Sequence, residues 1–166
     1  MKIRNSGGAG KAWRTRFLGG IPNTTPMPNV ALALSQGTFD GLITTNETAA
    51  SSSLWESRVH YVLEDHQTFG FYVPLVAGAF WQGLSAAHQA LLTDVWESSL
   101  AGYRANMATA QVAARETLLA HGLVITVPDA AQTDAVRTRM VAEQAGLVQQ
   151  WRITPEIAAQ ALADVG

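Results

Sequence analysis

The sequence predicts an α/β fold in which short buried strands alternate with short helices, followed by one very long helix and further helices at the C-terminal end. Three observations predict it. The stretch from Gly20 to Asn46 holds a turn, a short apolar helix and an apolar strand that runs into small polar residues, and such a strand end is where an open α/β sheet offers its ligand groups. Ser85 opens a run of apolar residues at helical spacing that continues to His121. Beyond it, Asp129 and Thr154-Pro155-Glu156 each start another helix. With 166 residues the chain has the size of one domain, residues 1–166, with a core of its own.

Met1 to Arg4 reads as a brief strand, and Asn5 to Gly10 as a glycine-rich loop leading into a helix at Lys11 to Leu18. Pro28 suits the first turn of a helix carrying Val30, Leu32 and Leu34, and Gly37 supplies its left-handed stop. Phe39 begins the strand, which passes through Asp40-Gly41 and Leu42-Ile43 to the polar tip Thr44, Thr45 and Asn46. Thr45 to Ser53 reads as a loop that caps a helix from Leu54 to Leu63, with Trp55, Val59 and Val62 or Leu63 on one face. His66 to Ala77 is rich in aromatic and β-branched residues and predicts a long strand, demoted by Pro74 in its later half to an edge or bulge.

The long helix is expected from Ala86 to about His121, with Gly122 as its stop. Its apolar residues fall at Leu92, Trp96, Leu100, Tyr103, Met107, Ala110, Ala114 and Leu118, a mean step of about 3.7 against the helical 3.6. Leu123 to Val127 is a short strand, a helix runs from Asp129 to about Gln150, and a last one ends near Val165.

Composition excludes several functions. Eleven Lys and Arg against thirteen Asp and Glu leave a net charge of −2, which lacks the basic footprint of a nucleic-acid binder. Zero cysteines exclude disulfides, thiolate metal sites and a cysteine nucleophile. Lys2 and Arg4 run into NSGGAGKAW and not into an apolar core, so these residues are not expected to form a secretory leader. No apolar run approaches the roughly 18 residues that a membrane span needs.

Most chemical motifs fail on inspection. In the glycine loop Asn5 stands where a phosphate-cradling Walker loop needs its first glycine, and Ala12 where it needs Ser or Thr. His60, Glu64, Asp65 and His66 are close in sequence, but their spacing does not put a ligand set on one face, and a solvated helix end accounts for them better than a metal. His88 and His121 sit near the ends of the long helix, where capping or surface roles are the default. No Gly-x-Ser-x-Gly elbow is present, and Trp81 and Trp96 read as core rather than as ligand platforms. Arg4 stands apart: after a short strand and beside glycines, its fork can meet a carboxylate, and a surface or ion-pairing arginine explains it equally well.

The order of Lys2-Ile3-Arg4, Gly20-Ile21-Pro22, Ala33-Leu34-Ser35-Gln36-Gly37, Asp40-Gly41, Leu54-Trp55-Glu56 and Phe80-Trp81-Gln82-Gly83-Leu84-Ser85, followed by a very long helix, is similar to one family. It resembles the DctP-type solute-binding proteins of TRAP (tripartite ATP-independent periplasmic) transporters, over residues 2 to about 127 in register. The resemblance implies a partial periplasmic-binding-protein-like (type II) lobe with a bridging long helix and C-terminal helices. It further implies a periplasmic protein without catalytic activity or cofactor, which closes on a small organic acid and hands it to membrane permease subunits. By the same resemblance Arg4 pairs with the ligand carboxylate, Met27 lines the pocket, and the ligand is contacted from the tip Thr44, Thr45 and Asn46. The family commonly places an asparagine where this chain has Thr44, a departure from the common motif.

Family members carry a signal peptide and a whole leading lobe before the Lys-x-Arg motif. The expectation is therefore a C-terminal portion in which half the cleft is missing and part of the stripe from Trp96 to Leu118 has lost its cover, to be supplied by the leading lobe or by a homodimer. The rival expectation is a helical interaction module or non-binding remnant that pairs through the long helix.

Overall fold

The computed structural model describes residues 1–66, 70 and 72–165. Lys2–Asn5 (β1) is the middle strand of a parallel sheet, flanked by Ile21–Thr24 (β2) on one side and Gly41–Leu42 (β3) on the other. Ile3 and Arg4 align with Pro22 and Asn23 of β2 and with Gly41 and Leu42 of β3. The β1–β3 pairing continues past the short strand at both ends, through the Asp40 N–H to the Lys2 carbonyl and the Ile43 N–H to the Arg4 carbonyl, each at 2.8 Å. The expected strand from Phe39 to Ile43 is therefore present, with its regular part confined to two residues. β2 was not foreseen, because Pro22 cannot donate to a ladder; the strand is tolerated where it lies, at the sheet edge.

The connections are helical. Ala9–Phe17 (α1) joins β1 to β2, and Val30–Ser35 (α2) joins β2 to β3. The first crossover moves to one side of β1 and the second crosses to the other, so right-handed connections put the two helices on opposite faces. Gly20 lets α1 approach the sheet closely: a Cβ there would lie 3.0 Å from Thr15 Cγ2 and 3.2 Å from Ile3 Cγ1. Ile3 thus faces α1, and Arg4, its neighbour along the strand, points to the opposite face. Gly37, at φ +70°, ends α2 as expected, and the Thr38 N–H reaches back to the Ala33 carbonyl at 2.9 Å.

The next segment differs from expectation. Asn46–Ser51 forms a helix (α3), and Leu54–Ser57 is a single 3-10 turn, followed by Tyr61–Leu63 (β4). Left-handed backbone at Arg58 (φ +70°) interrupts the helix that the spacing of Trp55, Val59 and Val62 or Leu63 predicted, and Ser53 directly before it is left-handed too (φ +47°). No strand occurs among the described residues of the expected His66–Ala77 strand; its Gln67, Thr68, Phe69 and Phe71 lie outside the described residues.

Gly78–Gly83 (α4) precedes the long helix Ala86–Ala120 (α5), capped by Ser85 through the His88 N–H and closed by Gly122 at φ +80°. Val124–Thr126 (β5) pairs with β4 in a two-stranded ribbon. The core gathers Val30 and Leu34 of α2, Phe39, Ala49 of α3, Leu54, Leu118 near the end of α5, and Leu123. Only the last turns of the α5 stripe are buried, at Ala114 and Leu118. Trp96 is 38% exposed and Tyr103 58%, which corrects the expectation that Trp96 is core.

Contacts divide the chain into two compact units, Met1–Val62 with Phe69–Ile125, and Leu63–Thr68 with Thr126–Gly166. In the second, the expected helix to Gln150 is broken at Glu143 into Ala130–Ala142 (α6) and Gln144–Gln150 (α7), and Pro155–Val165 (α8) follows. Asp129 caps α6 in a reciprocal box: its Oδ1 accepts the Gln132 N–H at 2.7 Å, and Gln132 Oε1 accepts the Asp129 N–H at 3.1 Å.

Candidate functional site

The strand order β2-β1-β3 reverses direction at β1, and in open α/β sheets a ligand crevice opens outside the carboxyl ends of the strands at such a reversal. Arg4 lies one residue from the end of β1, at that edge. It is only 4% exposed, and its Nε donates to the Thr25 carbonyl at 2.8 Å. Among the described residues no carboxylate pairs with it. Among the described residues, the Nη nitrogens of Arg4 are not among the side-chain atoms sealed from solvent without a partner, so the Nη edge of Arg4 is not sealed in. Burial lowers the Arg4 pKa by desolvating its charge, yet a guanidinium stays protonated across the physiological range.

The anchor of Arg4 is built by the end of β2. Thr25 precedes Pro26, which holds Thr25 in the extended region and so fixes the direction of its carbonyl. The Thr25 hydroxyl donates to Asn23 Oδ1 at 2.6 Å, and Asn23 is the register partner of Arg4. Neither Asn23 nor Thr25 was singled out from the sequence. The available signal was a threonine directly before a proline at a strand end.

Of the other expected site residues, Met27 opens a 3-10 turn, Met27–Asn29, and is half-buried against the core. With Pro28, Val30, Ala31, Ser52 and Leu54 it lines an open depression of about 320 Å³. Thr44 is exposed, directly after Ile43, whose N–H is bonded to the Arg4 carbonyl, and its hydroxyl has no hydrogen-bond partner among the described residues. Thr45 instead caps α3: its hydroxyl accepts the Thr48 N–H at 3.1 Å. Asn46 is the first residue of that helix. The fold therefore brings Arg4, the Asn23–Thr25 segment that leads to Met27, and Thr44 to the carboxyl ends of three adjacent strands.

Two of the four histidines have other occupations. His88 Nδ1 lies 3.2 Å from the Ser85 hydroxyl, and His121 closes α5 with its ring stacked on Trp55 at 3.9 Å. Among the described residues no group of three or more His, Asp or Glu could hold a metal ion.

The profile of the DctP family, bacterial extracellular solute-binding protein family 7, matches residues 1–147. The chain belongs to the DctP family. Three solved TRAP periplasmic solute-binding proteins share the fold of this DctP-family chain. The protein from Shewanella oneidensis, with bound succinate, has a TM-score of 0.86 at 18% identity, over 98% of this chain and 53% of its own. That from Desulfovibrio salexigens, with bound orotic acid, has a TM-score of 0.82 at 18% identity, over 99% and 54%. That from Pseudomonas putida F1, with bound D-glucuronate, has a TM-score of 0.71 at 21% identity, over 93% and 51%. The DctP-family chain thus spans about half the length of these proteins, as expected of a partial TRAP-type lobe with a long helix. No protein of curated function matches the sequence significantly. Among the described residues no helix is long and apolar enough to cross a membrane.

Proposed function

We propose that this chain is the C-terminal portion of a TRAP solute-binding protein that holds a small organic acid by its carboxylate on Arg4 and delivers it, in the periplasm, to membrane permease subunits. The observation that carries this reading is a buried arginine at the sheet's switch point whose Nε is anchored and whose outer edge faces no carboxylate among the described residues. A buried cation without a counter-charge is costly, and an arriving carboxylate both removes that cost and forms charge-assisted bonds in a poorly hydrated crevice. Met27 supplies an apolar wall, and Thr44, with Thr45 and Asn46 beside it, supplies polar contacts from β3. The solute is bound and released without covalent change and without a cofactor. The succinate, orotic acid and D-glucuronate held by the similar structures support the ligand class. Their chains are about twice as long, which supports a second lobe as the opposite wall of the cleft.

Calorimetric titration of a panel of organic acids into wild type and Arg4→Ala tests the reading. The expected result is heat from at least one acid that disappears in Arg4→Ala. Heat that survives the substitution, or none with any acid, removes the proposal. A second reading, a chain that pairs through α5 and binds no solute, is favoured by the exposure of Trp96, Tyr103 and Met107. It requires silence toward every acid together with concentration-dependent association in sedimentation.

A further inference from the structure

We infer that Asn23 is a second solute-contacting donor, and that the pair Arg4 and Asn23 selects acids carrying an oxygen on the carbon next to the carboxylate, that is, 2-hydroxy or 2-oxo acids. The inference rests on the carboxylate-binding reading of Arg4. Asn23 and Arg4 are register partners on adjacent parallel strands, so their side chains leave the same face of the sheet about 4.8 Å apart at the backbone. A short hydrogen-bonded chain joins them further: Arg4 Nε to the Thr25 carbonyl at 2.8 Å, and the Thr25 hydroxyl to Asn23 Oδ1 at 2.6 Å.

Each link uses one end of a side chain and directs the other. With Nε donating to Thr25, a carboxylate meets Arg4 end-on, through the two Nη groups, because the side-on edge needs Nε. With Oδ1 accepting the Thr25 hydroxyl, the Asn23 amide is held with Nδ2 as its unengaged end, and no hydrogen bond is formed by that NH₂ among the described residues. The crevice therefore presents a cationic fork and, beside it, a neutral donor. A lone carboxylate satisfies the first; an oxygen on the neighbouring carbon, hydroxyl or keto, accepts from the second.

The experiment compares acids that differ only in that oxygen. Propionate, lactate and pyruvate are titrated into the 166-residue chain and its Arg4→Ala, Asn23→Ala, Asn23→Asp, Thr25→Val and Thr25→Ser variants, with a thermal melt of each. Wild type is expected to bind lactate or pyruvate about fivefold to tenfold more tightly than propionate, the effect of one neutral hydrogen bond. In Asn23→Ala that ratio falls to about one. Asn23→Asp keeps an oxygen for the Thr25 hydroxyl and nearly the same shape, but places a carboxylate beside the solute's own, and weakens all three acids at least tenfold. Thr25→Val lowers the ratio and Thr25→Ser restores it. Because the ratio is taken within one variant, a general loss of folded protein cancels. Arg4-dependent binding whose lactate-to-propionate ratio is unchanged in Asn23→Ala overturns the inference and leaves the carboxylate reading standing. Binding that is absent in wild type, or indifferent to Arg4→Ala, overturns both.

Discussion

Replacing Arg4 with methionine separates a binding arginine from a structural one. The side chain is 4% exposed and makes one side-chain hydrogen bond, Nε to the Thr25 carbonyl at 2.8 Å, with no carboxylate facing it among the described residues. Losing a charge-assisted hydrogen bond costs about 1.5–3 kcal/mol. Removing a buried, uncompensated cation returns a comparable amount, reduced because the outer edge of the fork still reaches water. The two nearly cancel, so Arg4→Met leaves the unliganded chain within about 2 kcal/mol of wild type in urea denaturation, while affinity for a carboxylate falls by about 2–5 kcal/mol, or about 30-fold to 5,000-fold. Destabilisation beyond about 3 kcal/mol with affinity retained would make Arg4 a structural residue and not a binding one. The pH dependence follows from the same burial. A lowered pKa means the unfolded chain holds the Arg4 proton more tightly, so stability gains from this group only in the strongly alkaline range, and across neutral pH the Arg4 contribution to affinity is flat.

Three further outcomes are expected. Leu118 is fully buried where α5 meets the core, so Leu118→Ala lowers unfolding free energy by about 2–5 kcal/mol in urea or thermal melts. Trp96→Ser on the exposed part of the same helix shifts stability by no more than about 0.5 kcal/mol and lowers any concentration-dependent light scattering. Gly20→Ala forces a Cβ to 3.0 Å from Thr15 Cγ2 and 3.1 Å from the Thr15 carbonyl. It costs about 1–3 kcal/mol by prising α1 from β1, read as a lower melting temperature.

The legible parts of the sequence were those with local chemistry. Gly37 and Gly122 end their helices where a left-handed stop was expected, Ser85 and Asp129 cap theirs, and the α5 stripe carries the helical period throughout. Where the period misled, tertiary pairing won. Trp55, Val59 and Val62 have helical spacing, but β4 is drawn into a ribbon with β5, 63 residues on in the chain, and left-handed backbone at Arg58 makes the break. α3 has the composition of a loop because Thr, Ser and Ala give it no apolar stripe, although Thr45 is a sound cap. The stripe's period could place its residues on one face, but could not tell which turns are covered; that depends on how far α3 and Leu54 reach along α5. For the candidate site, Arg4 and Thr44 were nameable from the motif order and lie at the carboxyl ends of adjacent strands, while Met27, nameable from the same order, is half-buried against the core. Asn23 and Thr25 were not nameable, since their places beside Arg4 come from the β1–β2 register and from a backbone carbonyl, neither of which has a residue-type signature.

Whether Arg4 holds the solute is decided by a crystal structure of the chain with the tightest-binding acid from the panel. The ligand carboxylate is expected end-on against both Nη groups of Arg4 at about 2.7–2.9 Å, with Nε still on the Thr25 carbonyl. An acid bound elsewhere, at the glycine loop or in the depression lined by Met27 and Leu54 with Arg4 untouched, would contradict it.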